Sequence, residues 1–330
     1  MDTMDSPYQS DVRSLAERAA EADGVAVDIV MGTYNGAAFL QEQIHSLLAQ
    51  THTHWRLLVR DDGSSDNTDD LLRAATESDS RIRLVSDGLG NLGFSRNFLH
   101  LLSLTTAPYV MFCDQDDVWL PRKIELTLKE MVRVEARHSC RPTLVHCDSI
   151  VADTDLIVLR DRFVGAKGRR RGLSGMLFAN CVQGATSMIN ASLRESVLCM
   201  EPVLPYDFHC GLIASAIGQR QYIDQALMLY RQHSRNTIGA GMNGESSRRG
   251  KVSETLQLAI NAASPVIETV RSFGKEISPQ TAKEMDDFVE LLSGGNRLRR
   301  LFIALRRRYA FYRRRDQLNL LLYICGIQNV

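Results

Sequence analysis

The sequence predicts an α/β fold, with a mostly parallel sheet flanked by helices and a helical C-terminal extension. From Val27 onward, apolar runs of strand length alternate with polar turns and stretches of helical period. Strands separated by helices pair in parallel, because each crossover brings the chain back to run in the same direction. A polar cluster follows each run, where a parallel sheet gathers its functional loops. The 330 residues, 44% of them hydrophobic, can bury a core without disulfides or a structural metal.

The elements follow in order. Val12, Leu15, Ala16, Ala19 and Ala20 share one helical face and Gly24 is placed to stop it, so residues 1–24 read as an N-terminal helical extension. Strands are expected at Val27 to Met31, Arg56 to Arg60, Arg81 to Ser86 and Tyr109 to Cys113, with helices over 37–49, 68–78, 95–104 and 121–138. Beyond Leu144 to Asp148 the pattern is looser until a second organised block, in which NCVQGATSMIN precedes a helix near 192–200. Pro205-Tyr206-Asp207 opens a helix carrying Leu212, Ile213, Ala216 and Ile217, which Gly218 ends; a strand pair then leads to YRQHSRNTIG. Gly239 to Gly250 reads as a loop or linker. Helices with a stripe at Met285, Phe288, Val289 and Leu292 complete the chain. The expected organisation is a catalytic domain over 25–240, split at about 120 into two halves, and a helical, basic region over 241–330.

Charge and cysteine usage exclude several classes. The chain has no net charge, yet nine arginines and no acid lie between Arg297 and Arg315, leaving 30 basic against 39 acidic groups elsewhere. A nucleic-acid binder is not expected. Seven cysteines without a C-x-x-C pair suggest a reduced, cytoplasmic setting. The acidic start is unlike a signal peptide, and no stretch suits a membrane span.

The sharpest chemical signal is DQDD, residues 114–117, directly after the apolar run YVMFC. Three acids in four residues repel one another unless a cation or an arginine neutralises them. Hard oxygen ligands suit Mg2+ or Mn2+, which keep positions open for substrate phosphates; the alternative is a solvated turn capping the next helix. Asp61 and Asp62 also read as turn and cap residues, but Asp62 could accept the N–H of a uracil or thymine ring, with Tyr34 against the base. Metal beside base pocket points to a nucleoside diphosphate. GLGNLG at 88–93 matches the dinucleotide fingerprint. It follows the third strand instead of opening the sheet, so a plain glycine-rich loop is preferred over a dinucleotide-dependent oxidoreductase.

VDIVMGTYNGAAFL, RDDGSSDNT, NLGFSRNF and YVMFCDQDDVW, in this order and spacing, resemble the nucleotide-sugar half of family 2 glycosyltransferases of the GT-A fold. GATSMIN, YDFHCGLIASAIG and YRQHSRNTIG resemble a bacterial rhamnosyltransferase-like branch that builds surface polysaccharides. The resemblance spans about Val27 to Gly241. It implies that Asp62, Tyr34 and the backbone at Gly32 and Thr33 hold the base, and that Asp114 and Asp116 form a D-x-D element for metal and ribose. Asp116 is the first metal ligand by this reading. Arg96 would approach the pyrophosphate; His233, with Arg231, would face it, His233 as a further metal contact. Asp207 would be the acceptor-activating base, although the branch often has His-Asp-Trp where this chain has Tyr206-Asp207-Phe208.

These residue types suit an inverting displacement. A cation stabilises the diphosphate leaving group, and Asp207, kept ionised by a helix start, accepts the proton of the acceptor hydroxyl. The expected donor is dTDP-rhamnose, then UDP-sugars; the acceptor is a surface-polysaccharide or lipid-linked glycan. A membrane-recruited sugar-binding protein without catalysis is the remaining alternative. In the tail, Leu298, Leu301, Phe302, Leu305, Tyr309 and Tyr312 fall on one helical face beside arginines. Residues 297–324 suit peripheral contact with an anionic leaflet at the inner face of the plasma membrane, with a dimer seam or a packing helix as alternatives.

Overall fold

The computed structural model describes residues 24–138, 141–165, 168–169, 172–177, 180–200, 204–234, 236, 265, 267–274, 277–292, 296–307, 309, 320–321 and 324–325. The predicted N-terminal helix, the 239–250 loop and Tyr312 lie outside these residues.

Four strands arise from the apolar runs of the first half: β1 (Val27–Thr33), β2 (Trp55–Asp61), β3 (Ile82–Leu84) and β4 (Tyr109–Cys113). Between and after them come α1 (Leu40–Leu48), α2 (Thr68–Ser78), α3 (Phe94–Ser103) and α4 (Lys123–Glu135), with the short β5 (Val118–Trp119) before α4. β1, β2, β3 and β4 pair in parallel, β1 lying centrally. Period-2 alternation makes both faces apolar. Ile29, Met31, Leu57 and Val59 join the core beneath α1, α2 and α4, while Val30, Leu58, Val110 and Phe112 face the core containing Phe98 and Leu101 of α3.

The second half departs from expectation. It contributes β6 (Thr143–Ala152), β7 (Val158–Arg160), β8 (Ser187–Asn190) and β9 (Gln219–Arg231), with α5 (Ala191–Leu198) and α6 (Tyr206–Ile217) between the last two. β8 runs antiparallel to β4 and β6, β7 antiparallel to β6, and β5 antiparallel to β9. Only β6 and β9 are parallel here. Among the described residues four strand pairings are thus parallel and four antiparallel, in the order β3-β2-β1-β4-β8-β6-β9-β5.

The sheet is mixed and strongly curled into a half-barrel, which overturns the mostly parallel GT-A sheet expected from the βα alternation. That alternation ends at β4, and later neighbours arrive in either direction. The strand pair expected before YRQHSRNTIG is the single strand β9. It uses 13 residues against the ten of β6, with register shifts opposite 146–150. Extra residues on one strand bend it and increase its twist.

In the C-terminal region, α7 (Pro279–Leu292) and α8 (Arg297–Arg307) pack on the core through Met285, Phe288, Leu291, Ile303 and Ala304. Among the described residues no helix is long and apolar enough to cross a membrane.

Candidate active site

The carboxyl ends of β1, β2 and β4 open onto a cleft of about 510 Å³, lined by Gly32, Thr33, Tyr34, Asp62, Asp114, Asp116 and Asp207 among others. Gln115, between the two aspartates, accepts a hydrogen bond from Tyr34 N (2.9 Å) and donates to Tyr34 O (3.0 Å). It fastens the loop after β4 to the loop after β1. The approach is close enough that a Cβ at Gly36 would sit 2.1 Å from Gln115 Oε1. Tyr34 is 54% exposed, so its ring is available to a ligand face.

Asp62 is buried and committed to the adjoining loop. Oδ1 accepts from Leu92 N and from Arg60 Nη1, both at 2.7 Å, and Oδ2 accepts from Gly93 N at 2.8 Å. A carboxylate has lone pairs for a further donor, but the first duty of Asp62 is to shape the GLGNLG loop. That also explains the glycines: Gly88, Gly90 and Gly93 have φ of 72°, 68° and 76°. Leu89 N donates to Asp87, so three amides of the loop already serve carboxylates. A dinucleotide pyrophosphate would need such amides free, and the oxidoreductase reading loses its support.

Acidic charge concentrates on the cleft floor. Burial, then Asp116 and Asp207, push the Asp114 carboxyl up to about 7. Asp117 is fully buried and pushed well up by burial and by its acidic neighbours; its Oδ1 accepts from Arg231 N (3.2 Å), and Oδ2 has no partner among the described residues. Among the described residues Lys123, fully buried at the start of α4, puts positive charge close to Asp114 and Asp117. Burial lowers its ammonium to about 8 against the pull of nearby thiols and of Asp117 and Asp114. Its Nζ donates to Ala185 O and lies 3.3 Å from the centre of the Trp119 ring. Sequence reasoning passed over Lys123; its only signal was a position six residues beyond Asp117.

Asp207 lies in the first turn of α6. Its Oδ1 accepts from Phe208 N at 2.7 Å, and Asn180 and Gly184 N–H also hydrogen-bond to the carboxylate. The helix start was expected to keep it fully ionised. Burial is the larger effect and raises the carboxyl to about 6. Asp207 is therefore ionised at neutral pH, yet a stronger base than an exposed aspartate. Beside it, the Tyr206 ring stacks on Phe98 at 4.4 Å and lies 4.9 Å from Phe112. A Cβ at Gly184 would fall 2.0 Å from Tyr206 Oη. Gly184→Ala is expected to cost about 1–3 kcal/mol of stability through overpacking and to lower turnover by moving Asp207; chemical denaturation and initial rates check the two effects.

Three expected donor contacts sit differently. Arg231 is buried beneath the cleft, over the Phe39 ring at 4.7 Å; it bonds to Asp116 O at 2.9 Å and also to Glu42 and to Thr154 O. It braces the DQDD loop from below instead of facing a diphosphate. Arg96 is exposed on α3 and is not among the cleft-lining residues, because Asn97, Phe98 and Leu101 take the inward positions. His233 stacks on Phe39 at 4.7 Å and pairs with Asp116, Nε2 to Oδ2 at 2.8 Å.

The expected metal set of Asp114, Asp116 and His233 is not a preformed cage: no group of three such donors stands in ligating geometry among the described residues. Mg2+ and Mn2+ need only one or two carboxylates when phosphates and waters complete the shell. Asp114 and Asp116 both line the cleft, and their hard oxygens fit such an ion.

Further residues complete the cleft. Asp148, fully buried, accepts from Phe163 N, Val164 N and Gly165 N at 2.8–3.0 Å and from Tyr222 Oη at 2.7 Å, folding a loop that brings Phe163 to the lining. Asn180 and Gln183 line the same wall. Asn180 and Gln183 were not legible beforehand, because polar residues in an irregular stretch carry no periodic signal.

The family model described as Glycosyl transferase family 2 matches residues 28–177. An uncharacterized glycosyltransferase of Nostoc sp. is 33% identical over 235 residues, covering 68% of this chain and 70% of its own. The chain belongs to glycosyl transferase family 2. It is 36% identical over 113 residues to the Escherichia coli UDP-Glc:alpha-D-GlcNAc-diphosphoundecaprenol beta-1,3-glucosyltransferase WfgD, covering 34% of this chain and 43% of that enzyme. The Shigella flexneri dTDP-rhamnosyl transferase RfbG is 26% identical over 223 residues, covering 64% and 75%. For the first two relatives, from E. coli and Bacillus subtilis, the match spans less than half of their length, 43% and 42%. In fold, the chain is similar to a Pyrobaculum calidifontis mannosyltransferase solved with GDP-Man and Mn2+, at a TM-score of 0.52 and 15% identity over 97% of this chain and 92% of that one.

Proposed function

We propose that the protein transfers a sugar from a nucleoside diphosphate donor to a glycan acceptor by one inverting displacement. The observation that carries this is the convergence of Asp114, Asp116 and Asp207 on one cleft, beside the exposed Tyr34 and the backbone of Gly32 and Thr33. Tyr34 offers a face to the base, with a spare lone pair of Asp62 for its ring N–H. Asp116, joined by Asp114, would hold a divalent cation together with the donor phosphates; His233 orients the Asp116 carboxylate. When bound, that cation supplies Lewis-acid stabilisation of the departing diphosphate. Asp207, fixed by Phe208 N–H, removes the proton of the acceptor hydroxyl. Attack opposite the leaving group inverts the anomeric carbon.

The motifs of the second half and the rhamnosyl transferase relative favour dTDP-rhamnose, and the glucosyltransferase relative keeps UDP-sugars next. The acceptor in this reading is a surface-polysaccharide precursor, lipid-linked and met at the cytoplasmic face. The test is a panel of dTDP-rhamnose and UDP-sugars with Mn2+ and glycan acceptors, following nucleoside diphosphate release and the anomeric configuration of the product. Retention of configuration would refute the single displacement, and binding without any transfer would favour a sugar-binding protein.

The raised Asp207 carboxyl sets a pH dependence. Below about 6 the base is protonated, so kcat/KM should fall tenfold per pH unit there and level off above it. The same shift acts on folding in the opposite sense: its stabilising contribution is full below the ordinary aspartate pKa of 3.8 and is lost as pH rises through about 6. A kcat/KM profile recorded where the protein stays folded checks the limb.

A further inference from the structure

We infer that the outward face of α8 is a docking surface for an anionic lipid bilayer. The inference deepens the membrane part of the proposed function and does not depend on the transfer chemistry. α8 is amphipathic on two sides. Arg300, Ile303 and Ala304 are buried against the protein. On the opposite side Leu298, Phe302 and Leu305, spaced i, i+4, i+7, are 79%, 61% and 55% exposed. The stripe predicted from sequence included Tyr309, but this residue is buried near Phe288, with ring centres 6.2 Å apart. Among the described residues the apolar contact surface is thus the three outward residues of α8, without Tyr309.

Charge selects the partner. Two arginines are matched by α7: the buried Arg307 side chain pairs with Asp287 at 2.5 Å and with Glu284 at 3.5 Å, and the exposed Arg299 pairs with Glu290 at 2.6 Å. Arg297 and Arg306 flank the outward stripe, exposed, with no carboxylate paired to either among the described residues. An apolar ridge between unmatched arginines matches a headgroup layer, where the side chains of Leu298, Phe302 and Leu305 reach the acyl boundary and the guanidinium groups meet lipid phosphates. A second copy of this chain would bring the same unmatched positive charge to the contact.

The experiment is co-sedimentation of the full chain with phosphatidylcholine vesicles, with and without phosphatidylglycerol, alongside L298S/F302S/L305S and R297Q/R306Q variants. The wild type should bind the anionic vesicles, and less so as salt rises. The apolar triple variant should lose about tenfold or more of that binding, and each arginine replaced should cost about fivefold at low salt. Circular dichroism and turnover on a short soluble acceptor should be unchanged in both, since the inward face and the cleft are untouched. Equal binding by wild type and triple variant, or no preference for anionic vesicles, would overturn the inference. Self-association that the triple substitution abolishes, without vesicle binding, would overturn it in favour of a dimer. Vesicle binding in a chain that transfers no sugar would leave this surface standing and remove the catalytic reading alone.

Discussion

Asp207→Asn lowers kcat by roughly 10²–10⁴-fold, the usual worth of a positioned general base, while donor binding and the fold survive. The substitution keeps shape: a carboxamide oxygen can still accept from Phe208 N–H, so the first turn of α6 is undisturbed. What it removes is the capacity to take a proton. It also removes a negative charge that raises the Asp114 carboxyl. Steady-state kinetics with separate KM values for donor and acceptor read this out. The loss belongs in kcat, and the limb near pH 6 should disappear from the residual activity. A variant keeping more than about a tenth of wild-type turnover would remove Asp207 from the chemistry, because smaller losses are the size expected of altered packing.

Asp116→Asn abolishes the dependence of donor binding on Mn2+ and reduces turnover by about 10³-fold, the rate equivalent of several kcal/mol of charge stabilisation on the leaving group. The amide oxygen retains an acceptor for His233 Nε2, so the His233–Phe39 stack can persist. Calorimetry with UDP or dTDP, with Mn2+ and then with a chelator, separates the two states. Wild type should bind tightly only with the ion, and the variant equally weakly in both. Unchanged Mn2+-dependent affinity in the variant would place the ion elsewhere.

The parallel half was legible because each of its strands is a compact apolar run followed by a polar turn; β4 occupies the span expected of it, Tyr109–Cys113. The cleft followed from it, since Thr33 ends, and Asp62 and Asp114 directly follow, strands that run in one direction. The antiparallel half was hidden for physical reasons. β5 has two residues and no period, β8 is wholly buried and so shows no alternation, and β9 hides its register shifts inside a continuous strand. The charges were harder still. Arg231 and His233, two apart in sequence, suggested a shared ligand; both flank Phe39 and reach Asp116, but the buried Arg231 donates to its backbone carbonyl and only His233 pairs with its carboxylate. The structural duty of Asp62 was hidden, because nothing local reveals that Leu92 and Gly93, thirty residues on, donate to its oxygens.

The most direct test of the central claim is anomalous diffraction from crystals grown with Mn2+ and a nucleoside diphosphate. One peak is predicted in the cleft, about 2.0–2.2 Å from an Asp116 oxygen and from diphosphate oxygens, with Asp207 across the space where the sugar would lie. A nucleotide bound in the cleft with no manganese peak beside Asp116, or a peak on other residues, would contradict it.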